Sequence, residues 1–318
     1  MPSEFDLIRK YFTRPPAHTA LGVGDDAALL AIMPDMEVAV SSDMLVAGQH
    51  FFHDADARLL GRKCLAVNLS DMAAMGAAPR WATLSLALPQ ADETWLAAFA
   101  AGFFEMAEHH GVDLVGGDTT CGPLNLCVTI MGVAPTGMAL RRSGAQAGDD
   151  IWISGKLGDA ALALAHLQGK VALSASDALP CLSALHDPTP RVALGVALRG
   201  IAHSAIDISD GLMADLGHIL ECSNVAAEIH FAALPASASL RRLLPGDTAR
   251  ACLLAGGDDY ELCYTAPATQ REAIAAIGQR LGVPLTRIGA IRVGNGLQLL
   301  DETGAEVLFG KTGYDHFA

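Results

Sequence analysis

Basic residues are scarce in this chain. Lys and Arg together number 21 against 35 Asp and Glu, so the formal net charge at pH 7 is −14. A surface with this charge repels nucleic acid and anionic membranes, and we expect neither as a partner. An anionic substrate would have to be bound by a few Lys or Arg side chains at the site or by metal ions.

Long apolar runs and secretion signals are missing as well. No uninterrupted apolar stretch approaches the length of a membrane span. Residues 1–6 (MPSEFD) are acidic and lack the basic and apolar regions of a signal peptide. The seven cysteines contain no Cys-x-x-Cys pair, which argues against a disulfide framework or a zinc site and suits a reducing compartment. We therefore expect a cytoplasmic location.

The common nucleotide-binding and calcium-binding loops are also absent. The chain contains no GxxxxGK[ST] loop, no GxGxxG fingerprint and no EF-hand loop. A bound nucleotide would therefore use a different kind of site. The composition, 51% hydrophobic and 18% charged over 318 residues, is that of a globular chain with enough length for two domains.

Aspartate next to glycine or serine is what the chain has in quantity. The motifs are Gly24-Asp25-Asp26, Ser41-Ser42-Asp43, Ser70-Asp71, Gly116-Gly117-Asp118, Asp207-Ile208-Ser209-Asp210-Gly211 and Gly256-Gly257-Asp258-Asp259. One such motif is ordinary turn or helix-cap chemistry, but most of these follow apolar runs and are expected at strand ends. Two carboxylates about 4 Å apart repel by roughly 4 kcal/mol at an effective dielectric of about 20, so converging motifs would require a cation. Oxygen ligands of this kind favour Mg²⁺, which bridges carboxylates to phosphates.

Two aspartates show the contrast between a functional and a structural role. Asp71 falls within a predicted helix, 56–75, among apolar neighbours, and a buried carboxylate there favours metal binding. Asp43 follows a predicted strand, 38–42, and would project from its end, where open α/β sheets place their ligands. A helix cap or turn explains Asp43 equally well.

Two further residues also allow either a functional or a structural interpretation. His50 lies in a loop-like segment, where a single histidine is more often structural than catalytic. Arg142 lies in the polar connector 141–149, where it would be either a solvated charge or a phosphate clamp.

Alternating helix and strand patterns predict a mixed α/β fold. The connector 141–149 predicts a domain boundary, with one domain at 1–148 and the other at 149–318. A weak internal echo also suggests two related halves, because Asp71 precedes Asp118 by 47 residues and Asp210 precedes Asp258 by 48. The predicted helices are 56–75, 94–110 with Gly111 as C-cap, 159–167, one after Gly211, and 274–281. The predicted strands are 38–42, 81–88, 114–115, 124–133, 151–154, 204–208 and 226–229.

Taken together, the motifs resemble the thiamine-monophosphate kinase family of the aminoimidazole ribonucleotide synthetase superfamily. The resemblance extends from Phe5 to the last residues of the chain. It implies a two-domain aminoimidazole ribonucleotide synthetase-like architecture with the active site in the interdomain cleft. It also implies ATP-dependent phosphorylation of thiamine monophosphate to thiamine diphosphate, several Mg²⁺ ions, and a homodimer formed through the N-terminal domains.

The resemblance further implies roles for individual residues. The positions that match metal ligands are Asp26, Ser41, Ser42, Asp43, Asp71, Asp118, Asp207 and Asp210. The catalytic carboxylates among them are Asp43, Asp71, Asp118 and Asp210. The positions that would contact ATP are Gly117, Asp118, Arg142 and Ser209. The positions that would contact thiamine phosphate are His50, Asp258 and Tyr314.

The chemistry expected of this family agrees with an aspartate-rich site. A phosphate monoester already carries a charge of about −1.5 to −2 at neutral pH, so it attacks ATP without a general base. Metal ions between the two anions, and direct in-line transfer, would then suffice.

Three alternatives remain at this point. Another ATP-using synthetase of the superfamily is the nearest, although selenophosphate synthetases usually carry a reactive Cys near the N-terminus and the first Cys here is Cys64. A two-metal phosphohydrolase would usually add His ligands. A calcium-binding module without catalysis would need the missing EF-hand loop.

Overall fold

The structure, a computed structural model, describes residues 4–23, 27–244, 246–308 and 313. The predicted site residues Asp26 and Tyr314 lie outside these ranges. The chain divides into two compact units, one of Met1–Met72 with Ala77–Gly137 and one of Ala73–Gly76 with Met138–Ala318. The domain limits 1–148 and 149–318 stay a prediction. Within the described ranges, no helix is both long and apolar enough to cross a membrane.

The first unit combines a four-stranded sheet with two long helices. Its elements are α1 (Glu4–Leu7), a π-helical turn (Ile8–Phe12), β1 (Thr19–Leu21), β2 (Leu29–Leu30), β3 (Met36–Val46), α2 (Ala57–Ala74), β4 (Ala78–Leu88), α3 (Glu93–His110), β5 (Asp113–Cys121) and β6 (Asn125–Pro135). The strand order is β3-β6-β4-β5, so β3 and β5 are the two edges. Strands β4 and β5 are parallel, whereas β6 is antiparallel to both of its neighbours.

The core of this unit follows from the two periodicities of its elements. Along β6 buried residues alternate with partly exposed ones, as expected for a sheet with one covered face. Fully buried side chains of the core include Leu65, Leu69 and Met72 on α2, Phe99 and Phe103 on α3, and Leu126 and Ile130 on β6. Helix α3 begins at Asp92, whose side chain accepts the N–H groups of Thr94 and Trp95, and it ends at the left-handed Gly111.

The second unit is built on a six-stranded sheet. Its elements are β7 (Asp150–Ser154), α4 (Asp159–Leu167), α5 (Ala175–His186), α6 (Val192–Ala197), β8 (Ser204–Ile208), α7 (Leu212–Ser223), β9 (Ala226–His230), α8 (Ala238–Leu243), α9 (Asp247–Ala255), β10 (Glu261–Ala266), α10 (Arg271–Leu281), β11 (Leu285–Arg292) and β12 (Gly296–Leu300). The strand order is β12-β9-β11-β7-β10-β8, and only the β12–β9 pair of this sheet is parallel. Every residue of β8 and β10 is buried, so this edge of the sheet is covered on both faces.

The predicted mixed α/β fold is confirmed, and most predicted elements agree with the structure to within a few residues. Two strands are longer than predicted, and the difference concerns the site. Strand β3 pairs with β6 without interruption from Met36 to Val46, so Asp43 lies inside the strand and not beyond its end. Strand β5 continues through Gly117 and Asp118 to Cys121. In both cases pairing with a neighbouring strand overrides the turn preference of Ser, Asp and Gly.

Candidate functional site

The first group of site residues lies where α2 meets β3. Ser41 and Asp43 project from the same face of β3, because alternate residues of a strand point the same way. The Ser41 hydroxyl donates a hydrogen bond of 2.6 Å to Oδ2 of Asp71 on α2. The backbone N–H of Asp43 donates to Oδ1 of Asn68, also on α2, at 3.2 Å. The structure therefore brings together Ser41, Asp43 and Asp71, three of the predicted metal-binding residues.

Asp71 differs from its prediction in one respect. It lies on helix α2 as predicted, but its side chain is partly exposed and not buried. A partly exposed carboxylate can receive a ligand from solvent, which a fully enclosed one cannot. Asn68 was missed by the sequence reasoning, although its position three residues before Asp71 places both side chains on one face of the helix.

Ser42 does not join this group. Its side chain projects from the other face of β3, where its hydroxyl donates to the backbone oxygen of Val128 at 3.1 Å. The hydroxyl also lies 3.0 Å from Oγ1 of Thr129. Because successive strand residues alternate between faces, the side chains of Ser41 and Ser42 cannot bind one ion from β3.

Gly117 and Asp118 lie on the opposite edge of the sheet from Asp43. Asp43 pairs with Val128 on β6, Val128 with Leu84 on β4, and Leu84 with Gly117 on β5. Three strand spacings of about 4.8 Å separate the two edges by about 14 Å. Within the first unit, the structure therefore does not bring Asp118 to Asp43.

The backbone at Gly117 explains why glycine stands there. Its φ is +147°, and a side chain at this position would clash with the carbonyl oxygen of Leu84. Asp118, the next residue, is exposed, and its Oδ1 accepts the N–H of Thr119 at 3.0 Å. The residues predicted to contact the nucleotide, 117–118, thus lie on an exposed strand edge whose backbone packs closely against Leu84.

His50 lies in the turn that follows β3. Its Nδ1 accepts the backbone N–H of Val46 at 3.0 Å. A ring nitrogen that accepts a hydrogen bond carries no proton, so the neutral ring holds its proton on Nε2. His50 therefore has a hydrogen-bond donor, and not a base, at Nε2.

The second unit carries its carboxylates in a turn. Asp207 is buried near the end of β8, and Ser209 and Asp210 form the turn that leads into α7, as predicted. Asp215, in the first turn of α7, organises this turn. Its Oδ2 accepts the backbone N–H groups of Ser209 at 3.1 Å, Asp210 at 3.1 Å and Gly211 at 3.0 Å. Three converging N–H groups hold the backbone of the predicted metal-binding turn in one conformation.

Negative charge is crowded around this turn. Burial, together with the nearby carboxylates of Asp207 and Asp210, raises the pKa of Asp215 to about 7. Such a shift is typical of places where a cation would relieve repulsion. Asp215 was missed by the sequence reasoning; an acidic residue in the first turn of a helix was the available signal.

The motif 256–259 precedes a strand instead of following one. Helix α9 ends at Ala255 and β10 begins at Glu261, so the prediction of a strand end was wrong for this motif. The N–H of Asp258 donates to the carbonyl oxygen of Ser209 at 2.9 Å. The N–H of Tyr260 donates to the carbonyl oxygen of Ile208 at 2.8 Å. Because β8 and β10 are antiparallel, the end of one and the start of the other meet at the same edge.

The two neighbouring aspartates of this loop have different surroundings. Oδ1 of Asp258 accepts the hydroxyl of Tyr260 at 2.9 Å. Both oxygens of Asp259 lie 2.9 Å from the backbone nitrogen of Gly158, at the start of α4. Burial raises the pKa of Asp259 well above its ordinary value. Asp259 therefore caps α4, whereas Asp258 belongs to the loop beside Ser209.

Arg142 is held through its backbone. The hydroxyl of Ser223, at the end of α7, donates to the carbonyl oxygen of Arg142 at 3.2 Å. The same hydroxyl accepts the N–H groups of Gly144 at 3.1 Å and Ala145 at 3.2 Å. The residue itself is exposed. A fixed backbone with an exposed guanidinium is suited to binding a phosphate group.

The donor atoms of both groups are carboxylate and hydroxyl oxygens, which fit Mg²⁺ better than zinc. Among the described residues, no three His, Cys, Asp or Glu side chains are grouped so that they could hold a metal ion. Mg²⁺ is commonly bound by one or two carboxylates together with water and substrate phosphates, so it does not require such a cage. The residues present therefore fit Mg²⁺ as a partner of a phosphorylated substrate.

Comparison with known proteins gives a consistent result. Residues 24–134 match the family described as AIR synthase related protein, N-terminal domain. Thiamine-monophosphate kinase of Salmonella typhimurium is 47% identical over 321 residues, covering 99% of this chain and 98% of the relative. The crystal structure of thiamine-monophosphate kinase from Stenotrophomonas maltophilia has a TM-score of 0.84 at 52% identity, covering 89% of this chain and 91% of the other. AaThiL complexed with AMPPCP and TMP has a TM-score of 0.77 at 27% identity, covering 92% of both.

The similarity thus extends over nearly the whole of both chains. Since the identity is far above the level at which only the fold is shared, this chain belongs to the thiamine-monophosphate kinase family.

Proposed function

We propose that this chain transfers the terminal phosphoryl group of ATP to the phosphate of thiamine monophosphate, giving thiamine diphosphate and ADP. The observation that carries the proposal is the 47% identity over 99% of the chain to a thiamine-monophosphate kinase. The fold shared with AaThiL complexed with AMPPCP and TMP supports ATP as the phosphoryl donor.

The oxygen donors of the two units would hold several Mg²⁺ ions. In the first unit these donors are Ser41, Asp43, Asp71 and Asp118, with Asp26 and the backbone of Ser42 as further candidates. In the second unit they are Asp207 and Asp210. Bound Mg²⁺ would offset the repulsion between the two phosphorylated substrates and the charge that develops on the transferred group. The crowding of carboxylates around Asp215 supports a cation at this turn.

The other predicted residues would orient the substrates for in-line transfer. Gly117, Asp118, Arg142 and Ser209 would contact ATP, and His50, Asp258 and Tyr314 would contact thiamine monophosphate. The backbone hydrogen bond between Asp258 and Ser209 supports binding of the two substrates next to each other, because it joins a proposed thiamine-phosphate residue to a proposed ATP residue.

We assign no general base among the site residues that the structure describes, and the proposed acceptor needs none. His50, the one histidine among the predicted site residues, uses Nδ1 to accept a backbone N–H. A phosphate monoester is already ionised at neutral pH and can attack directly. Free thiamine, whose acceptor is a hydroxyl, would need a base to remove its proton.

The acceptor is the direct test of the proposal. The purified protein is incubated with ATP and Mg²⁺ and either thiamine monophosphate or thiamine, and ADP and thiamine diphosphate are quantified. We expect one ADP for each thiamine diphosphate, and little or no product from thiamine. Activity should fall as the pH drops through the acceptor's second pKa of about 6, where the monoester gains a proton.

Other results would select another function. Equal rates on both acceptors would indicate a less selective kinase. ADP release without thiamine diphosphate would favour a phosphohydrolase or a synthetase of the same superfamily. Full activity in excess chelator would reject the metal mechanism, whereas we expect Mg²⁺ or Mn²⁺ to support turnover and Ca²⁺ to support it poorly.

We also propose that the protein is a homodimer formed through its N-terminal half. The exposed face of edge strand β3 is apolar: Val40 is 61% exposed and Met44 is 53% exposed. An exposed apolar edge strand is a pairing surface that proteins normally cover. Val40→Glu should therefore yield monomers in light scattering. Val293→Glu, in the segment between β11 and β12 of the second unit, is the control, because that valine is even more exposed, at 88%. A dimer that survives Val40→Glu would place the interface elsewhere.

A cytoplasmic location stays a prediction.

A further inference from the structure

Tyr260 has an unusual backbone conformation for a large side chain. Among the described residues, the non-glycine residues with positive φ are Asp35, Asn224, Asp258 and Tyr260. Asn224 caps a helix, and Asp and Asn tolerate this region because their short polar side chains bond locally. Tyrosine has no such advantage, so the conformation of Tyr260, with φ of 51°, must be maintained by its contacts.

Those contacts direct the tyrosine toward Asp258. The N–H of Tyr260 is held by Ile208 at the end of β8, and its ring is 8% exposed. From this position its hydroxyl donates a 2.9 Å hydrogen bond to Oδ1 of Asp258. Asp258 also has a left-handed backbone, with φ of 68°, and its N–H is held by Ser209. Two residues with a left-handed backbone therefore flank Asp259 and are joined to each other through their side chains.

We propose that Tyr260 is a positioning residue that orients the Asp258 carboxylate toward the thiamine part of the acceptor. Thiamine carries a positively charged thiazolium ring and an aminopyrimidine, and both are complementary to a carboxylate. A hydrogen bond from a buried phenol limits the rotation of that carboxylate, so less freedom is lost when the substrate binds. This inference rests on the proposed function and adds a residue to its acceptor site.

A merely structural tyrosine would behave differently. If Tyr260 only maintained the loop, its loss would disturb Ser209 as well, because the two loops share backbone hydrogen bonds. ATP binding and kcat would then change together with acceptor binding. A positioning role predicts a change confined to the KM for thiamine monophosphate.

Tyr260→Phe isolates the hydrogen bond, because it removes one oxygen and leaves the ring in place. We expect the KM for thiamine monophosphate to rise about fivefold, the factor that corresponds to one orienting hydrogen bond. The KM for ATP and kcat should stay within about twofold of wild type. Tyr264→Phe is the matched control: it lies on β10 in the same unit, is fully buried, and its hydroxyl has no hydrogen-bond partner within the described ranges. This control should leave all three constants unchanged.

A double-mutant cycle with Asp258→Ala completes the test. Asp258→Ala should raise the KM for thiamine monophosphate further than Tyr260→Phe does, and Tyr260→Phe should have no effect in that background. Additive effects of the two changes would overturn the proposal. A Tyr260→Phe protein with lower kcat and lower stability would also overturn it, because Tyr260 would then be structural. Failure of the proposed function is a separate result: wild-type protein would not phosphorylate thiamine monophosphate at all.

Discussion

The carboxylates of the two units are held in place by different means. In the first unit Asp43, Asp71 and Asp118 lie on β3, α2 and β5, where the regular hydrogen bonds of strand and helix fix the backbone. In the second unit Asp210 and Asp258 lie in turns, and individual contacts fix them: the Asp215 carboxylate, the Tyr260 hydroxyl and backbone bonds to Ser209. The first arrangement depends on whole elements, whereas the second depends on single side chains.

The placement of the aspartates does not follow the internal repeat that the sequence suggests. The spacing from Asp71 to Asp118 nearly equals that from Asp210 to Asp258, which suggests related halves. Asp71 is helical and Asp210 is in a turn, while Asp118 is inside a strand and Asp258 precedes one. Equal spacing therefore does not reflect equal placement in this chain.

The largest expected effect comes from neutralising one carboxylate in each unit. Asp71→Asn and Asp210→Asn each keep the side-chain volume and should each lower kcat by at least about a hundredfold, because under the proposed function each removes a carboxylate that would hold Mg²⁺. Both proteins should unfold at the wild-type temperature. Asp56→Asn, at the start of the same helix as Asp71, is the control, since Asn also accepts the N–H of Leu59 that Asp56 accepts. Loss of activity in only one of the two variants would show that one unit suffices for catalysis.

Removing the carboxylate that organises the turn should come next. Asp215→Ala leaves three N–H groups without their acceptor and should lower the free energy of unfolding by about 2 to 3 kcal/mol. It should also lower kcat, whereas Asp215→Asn keeps an acceptor oxygen and should retain more of both. The counterpart in the first unit is Asp92→Ala at the start of α3, which should cost about 1 kcal/mol and leave kcat unchanged. Urea unfolding and steady-state kinetics measure both; an Asp215→Ala protein as stable as wild type would contradict the comparison.

A smaller effect of opposite sign is expected from a pair of tyrosines. Tyr264, stacked against Trp152 in the second unit, is buried without a hydrogen-bond partner among the residues described, so Tyr264→Phe should raise the free energy of unfolding by about 1 kcal/mol. Tyr11 in the first unit donates to Glu93 at 2.9 Å, so Tyr11→Phe should lower it by less than about 1 kcal/mol. Changes of the same sign in both variants would show that the hydroxyl of Tyr264 is satisfied in solution.

A comparably small effect concerns the pH dependence of stability. Burial, and to a smaller extent the neighbouring His109, lowers the pKa of His110 in α3 to about 4, from an ordinary 6.5. Between these values the unfolded chain binds a proton that the folded chain does not, so stability is lost as the pH falls from 6.5 to 4. His110→Gln should reduce this loss by about 1 kcal/mol, because solvent access moderates the effect. Thermal unfolding between pH 4 and 7 measures this loss of stability.

In the second unit, burial raises the pKa of Asp159, so the Asp159 carboxyl should lower the stability of the folded protein as the pH rises.

Local patterns were sufficient to predict parts of the site. The apolar run before Asp207, and glycine at the start of a helical pattern, correctly placed Ser209 and Asp210 in a turn between β8 and α7. The pattern of α2 placed Asp71 on a helix for the same reason: both signals depend only on neighbours within a few residues.

Residues that act through distant partners could not be found in this way. Tyr260 depends on Ile208, some fifty positions away, and Asp43 lies inside a strand because β6 pairs with it. Asn68 and Asp215 carried weak local signals, a helical spacing and a first-turn acid, which also occur at ordinary structural positions.

The amino-acid sequence by itself determined the mixed α/β class, the family, and the supply of carboxylates that a phosphoryl-transfer site requires. Tertiary structure decided which of them share a location: Asp71 with Ser41, Asp258 with Ser209, and Asp118 on the far edge of the sheet from Asp43. The physical reason is that strand order and strand register are set by hydrogen bonds between segments far apart in the chain. No local preference of Asp, Gly or Ser records which segment will be the partner.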